Sequence, residues 1–187
     1  MKNKRGVSPI VATILIILIT FVAAVVIARF IVPLVSENLE ESTECVDVSD
    51  YFYFETEFGY NCYDPVRDSN NDVIRRLYGV SIGAQGSGEN LEQEIKGFRI
   101  AFANEQGSKA LSVEIGEPVN RDDGGIRMLD ESKNIFELPA IGEVRTYVYN
   151  TTEVFNSVRV HSILKNNRIC DQSDSISLRG EICENDL

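Results

Sequence analysis

The residues able to do covalent or ligand chemistry are few enough to weigh one at a time. The single histidine, His161, lies in "VRVHSIL", where Val158 and Val160 alternate with Arg159 and His161, so the spacing predicts a ring pointing away from the apolar side of a strand. No Gly-x-Ser-x-Gly motif accompanies it, which leaves it no evident nucleophile to serve. "DSNND" places Asp68, Asn70 and Asp72 at the first three ligand positions of a calcium loop. Val73 then stands where the glycine is expected and Gly79 where the closing glutamate is expected, so a solvated turn is the better reading. Asp122-Asp123-Gly124-Gly125 likewise reads as a tight turn. Nothing here requires an enzyme, a metal or a cofactor.

Four cysteines, Cys45, Cys62, Cys170 and Cys183, follow the apolar segment described next. No Cys-x-x-Cys occurs, so zinc spacing is absent, and the even count suggests disulfides in an oxidising compartment. Cys45 and Cys62 flank the first expected strand, and Cys170 and Cys183 the last. Of the three possible connectivities the two local pairs are favoured, each closing a short loop worth up to about 3 kcal/mol. Asn150-Thr151-Thr152 is the one Asn-x-Ser/Thr sequon and makes Asn150 a candidate for glycosylation if the domain is exported.

The elements that must position these groups fall into two kinds. Val7 to Ala28 carries no ionised side chain and is apolar on every face; as a helix it spans about 33 Å, close to the apolar thickness of a bilayer. Lys2, Lys4 and Arg5 precede it and belong on the cytoplasmic side, which sends the rest of the chain outward and leaves Arg29 at the outer interface. The run is too long for an ordinary cleaved secretory signal. Helix formers continue through "VPLVSENLEESTE", so a stalk reaching about Thr43 is expected, kinked at Pro33.

Lys4-Arg5-Gly6 followed by Val7-Ser8-Pro9-Ile10-Val11 and an apolar helix resembles the N-terminus of archaeal type IV pilins and archaellin-related proteins. The resemblance covers about the first 35 residues. It implies cleavage between Gly6 and Val7 by a membrane prepilin peptidase, with Lys4, Arg5, Gly6 and Val7 forming the site. It also implies that the retained helix, including Val7, Ser8, Pro9, Ile10, Val11, Ile14, Leu15, Leu18, Phe21, Val25 and Ala28, first sits in the membrane and then in a filament core. Many pilins carry a glutamate five residues into the mature chain, and here that place holds Val11. Loss of the basic leader removes charges that are costly to draw through a bilayer. The rival reading is a permanent single-span anchor carrying a monomeric binding module.

The 187 residues carry a net charge of −11, and residues after 45 hold 14 of the 18 bases against 25 of the 29 acids. An acidic domain of this kind repels phosphate backbones and sets nucleic acid aside as a partner. Within it the apolar pattern changes to period two. "YFYFETEF", "GFRIAFA", "KALSVEI", "VRTYVYN", "VRVHSIL" and "SISL" read as strands, with "NEQGS" and "KNNR" as turns. The expected class is α+β: a leader (1–6), an apolar helix and stalk (7–44), and an exported, Ig-like antiparallel β-sandwich (45–187). "GAQGSGEN", from Gly83 to Asn90, is expected as a loop.

Overall fold

A computed structural model describes residues 9–33, 44–86, 91–178, 182–183 and 187. The chain divides into two compact units, Met1–Glu44 and Cys45–Leu187. The first contains helix α1, Pro9–Val26, continued by a π-helical turn over Ile27–Ile31. Pro9 suits the first turn because no backbone donor is needed there. The widened turn ends just before Pro33, which has no N–H to offer the Arg29 carbonyl one turn back, so the regular ladder cannot continue unchanged. The expected stalk over residues 34–43 lies outside the described residues.

The second unit is a sandwich of two antiparallel sheets, as the strand periodicity predicts. The strands are β1 (Phe52–Phe54), β2 (Cys62–Arg67), β3 (Val73–Ala84), β4 (Ile95–Asn104), β5 (Gly107–Glu114), β6 (Ile126–Met128), β7 (Val144–Thr151), β8 (Ser157–Leu164) and β9 (Ile169–Ser177). One sheet runs β1-β3-β7-β6, with β2 also on β3; the other runs β5-β4-β8-β9. A single helical turn, Leu91–Glu94, precedes β4 where the sequence suggested no second helix.

Aromatic residues from both sheets fill the interior. Phe52 meets Phe98 at 4.9 Å between ring centroids, Phe98 meets Tyr147 at 5.1 Å, and Phe102 meets Tyr149 at 4.9 Å. Each such ring removes a large apolar area from water, and the tilted or edge-on geometry adds to that burial. Alternation along β4 explains the layering: Phe98, Ile100 and Phe102 are fully buried, while Arg99, Ala101 and Ala103 turn outward.

The strand β3 carries more than periodicity predicts. Its twelve residues pair with β2 along one half and β1 along the other. Between those partners the carboxamide of Asn61 stands in for a strand: Oδ1 accepts from the Ser81 N–H at 2.8 Å and Nδ2 donates to the Glu55 carbonyl at 2.6 Å. The expected first strand "YFYFETEF" is therefore confined to Phe52–Phe54. Gly83 and Ala84, expected in a loop, instead close β3, where Gly83 leaves room for the Tyr53 ring; residues 87–90 of that loop lie outside the described residues.

The disulfides join Cys45 to Cys170 and Cys62 to Cys183, with Cα separations of 5.3 and 5.0 Å. The local pairing expected from sequence is thus incorrect. Its error was to let each end of the domain close on its own neighbour, whereas the sandwich brings the two ends together. β1 lies against β9, with the Phe54 N–H donating to Asp174 Oδ2 at 2.8 Å. Near the other end, the Cys183 N–H donates to the Tyr63 carbonyl at 3.1 Å, and Ile182 pairs in parallel with Tyr63. The C-terminal segment thereby covers part of the outer edge of β2, which would otherwise offer free backbone groups.

Candidate functional site

Helix α1 is built entirely of residues whose burial in water-facing protein is missing. None of its side chains is buried, and the large apolar residues among them, including Ile10, Val11, Ile14, Leu15, Leu18, Phe21 and Val25, are 45–71% exposed. Ala28 is exposed in the π-helical turn. Pro9–Ile31 is long and apolar enough to cross a membrane, about 35 Å end to end. Its two hydroxyls are already satisfied: Thr13 Oγ1 donates to the Ile10 carbonyl and Thr20 Oγ1 to the Ile17 carbonyl, each at 2.9 Å. Such back-bonding removes the cost of carrying a hydroxyl into an apolar medium.

An apolar surface of this extent cannot remain in water. Lipid or other apolar helices must cover it, and absence of a polar stripe means contact on all sides. Lys4, Arg5, Gly6, Val7 and Ser8 lie outside the described residues.

The candidate groups in the sandwich take structural roles. Asp68 shapes the β2–β3 hairpin: its Oδ1 accepts from the N–H groups of Asn70 and Asp72, both at 2.9 Å, and Asn71 adopts φ 69°. That is an Asx turn of the kind aspartate favours. Among the described residues no group of three or more His, Cys, Asp or Glu is placed to hold a metal. His161 faces outward on β8 opposite Arg99, its Nδ1 3.3 Å from the Cys170 carbonyl oxygen.

Asn150 lies at the end of β7, half-buried, clamped by the turn that contains Asp122–Gly125. Its carbonyl accepts from Gly124 N–H, its N–H donates to the Gly125 carbonyl, and Nδ2 donates to Asp123 Oδ1 at 3.1 Å. Its own Oδ1 is buried without a partner among the described residues. Nδ2 is the atom a glycan would occupy, so attachment to the folded domain requires that clamp to open.

Electrostatic perturbation is modest and belongs to packing. Burial raises the Tyr147 phenol well above its usual range, and its hydroxyl donates to the Glu137 carbonyl at 2.6 Å. Burial also raises Tyr78, opposed by the bond it receives from the Phe155 N–H. Glu137 is held low by its hydrogen bond from Lys133, with Arg145 adding to the effect.

The fold and segment together define an apolar N-terminal helix joined to a disulfide-bonded β-sandwich, an organisation consistent with an extracellular subunit. No family model, curated protein or solved structure matches the chain. What sequence reasoning missed here is the β2–β3 hairpin and the covered β2 edge. Pro65 was the available signal, since proline within a strand belongs at an edge.

Proposed function

We propose that this chain is a structural subunit of an archaeal type IV pilus-like or archaellum-like surface filament. The precursor is held in the cell membrane with its N-terminus cytoplasmic; prepilin peptidase cuts between Gly6 and Val7; and the helix then exchanges lipid for copies of itself. The acidic sandwich faces solvent and serves adhesion or surface contact rather than catalysis. The observation that carries this reading is an apolar helix with no buried side chain, attached to a separately packed head. The order of basic pair, glycine, Ser-Pro and apolar run adds to it.

The alternative is a monomeric extracellular binding module that keeps its helix as a permanent anchor. N-terminal sequencing of the cell-surface protein, with electron microscopy of sheared material, separates the two. A first residue of Val7 and visible filaments support the proposal. An intact leader and a dispersed envelope protein defeat it.

A further inference from the structure

The two sheets differ in what lies over their outer faces. On the β3 side, Val148 and Ser81 are fully buried although they point away from the core, and Leu187 sits over Gly79. The outer face of β5-β4-β8-β9 is bare by comparison. Its cross-strand rows place Arg99 opposite His161 and Ala101 opposite both Ala110 and Arg159, with Ala103 in the next row. The remaining positions in these rows are serine or glutamine, and no carboxylate stands among them. Glu114, opposite Gly97 one row beyond Arg99 and Ser112, is the acid that borders these rows on β5, and it is already paired with Lys96 at 2.6 Å; Asp171 lies in the irregular part of edge strand β9. Arg99 is half-buried and Arg159 exposed, and neither makes an ion pair or side-chain hydrogen bond among the described residues.

In a chain of net charge −11 these rows form an acid-free patch, bounded by the Lys96–Glu114 pair, that holds two uncommitted guanidinium groups. The complementary surface lies around Tyr51. A cavity of about 250 Å³ is lined by Tyr51, Ile115, Leu138 and Glu92, and a neighbouring hollow is lined by Asp47 and Asp50. All three carboxylates are exposed and without ion pairs among the described residues, while Ile115 and Val46 beside them are 66% and 67% exposed. This end therefore offers charge at its rim and apolar area in its floor.

We propose that the outer face of the β5-β4-β8-β9 sheet docks on the Tyr51 end of a second copy, with Arg99 and Arg159 meeting Asp47, Asp50 and Glu92. This rests on the filament reading above. Two different, complementary surfaces give a head-to-tail contact, which does not close as a two-fold dimer and builds an open helical assembly wherever its rotation does not close a ring. Acidic heads crowded together repel unless local complementarity offsets their net charge, and paired charges across an interface also fix its register. The alanine and serine floor lets the partner approach closely enough for the arginines to reach it.

The test uses the full chain in filament-forming cells, with filaments counted by electron microscopy. Arg99→Glu with Arg159→Glu should reduce filament yield by roughly tenfold or more. Adding Asp47→Arg and Asp50→Arg to that chain should restore it, and Arg99→Lys with Arg159→Lys should preserve it. If the reversed-charge chain misfolds, Arg99→Gln with Arg159→Gln replaces it, and its filaments should dissociate at lower salt than those of the parent. Normal yield from the reversed-charge chain, or unchanged salt tolerance of the glutamine variant, overturns the docking while leaving the filament reading intact. Normal filaments that have lost retention on an anionic polysaccharide resin would assign the face to an acidic glycan and likewise overturn it. Absence of filaments from the parent chain defeats the filament reading itself.

Discussion

The phenolic oxygen of Tyr78 accepts a hydrogen bond from the backbone N–H of Phe155 at 2.8 Å, tying the middle of β3 to the loop that enters β8. Both residues are buried, and their rings are 5.8 Å apart. Tyr78→Phe keeps the ring and removes only the acceptor. It should cost about 1–3 kcal/mol, the penalty of an unpaired buried donor. Tyr78→Ala should cost about 3–5 kcal/mol, because a cavity is added. Urea denaturation of the disulfide-intact protein measures both.

Each disulfide spans a long loop, with sequence separations of 125 and 121. Chain-entropy reasoning assigns about 4–5 kcal/mol to one such crosslink formed alone, and less to the second because the unfolded chain is then already constrained. Replacing Cys45 and Cys170 by serine should therefore destabilise the head by about 2–5 kcal/mol. Non-reducing peptide mapping should recover only the Cys45–Cys170 and Cys62–Cys183 linkages; a Cys45–Cys62 peptide would contradict the fold.

Alkaline pH should unfold the head through its buried phenols. Tyr78 and Tyr147 both have folded values raised above the ordinary 10.0, chiefly by burial, so folding favours the protonated form. That contribution is complete below pH 10 and is lost as pH rises through the unfolded value towards the folded ones. Phenolate absorbance from these two residues should appear together with loss of near-UV circular dichroism. Tyr147→Phe should move the alkaline midpoint upward. On the acid side Glu137, held low by Lys133, contributes stability that is present above its unfolded value and fades as pH falls through its folded one.

A charge placed on α1 should be disproportionately harmful. Leu18 lies mid-helix and is 57% exposed, so Leu18→Lys leaves the sandwich untouched while placing an ammonium in an apolar surrounding. About 2.5–3.5 kcal/mol is expected against membrane insertion. Cell fractionation and filament yield should both fall, whereas the thermal melt of the head should not move.

Helix α1 and strands β4, β5, β7 and β8 were legible because each carries an apolar period over most of its length: all-round for the helix, every second residue for the strands, with Val148 in β7 and Ile163 in β8 as additional buried residues on the outer face. β2 and β3 were obscured by Pro65, Arg75, Arg76 and two glycines, residues that suit an edge and a close approach but break the alternation. The disulfide pairing was illegible for a different reason. It depends on which strands lie side by side across more than a hundred residues, and no local pattern carries that. The candidate helix could be chosen from composition alone. The bare arginine face could not, because its lack of acids emerges only once register sets Arg99 beside His161 and Ala101 beside Arg159.

Cys45 opens the sandwich unit and is bonded at once to Cys170 near the start of β9. Three residues later Val48 is fully buried, its carbonyl held by the Ser162 hydroxyl at 3.1 Å. Tension applied to the chain at residue 45 therefore passes through a covalent link into a strand bonded along β8, and β1 is spared from being unzipped off β3. Drag on the head is thereby handed to the β8–β9 ladder, and the rate at which that pairing opens governs how long the head survives under load.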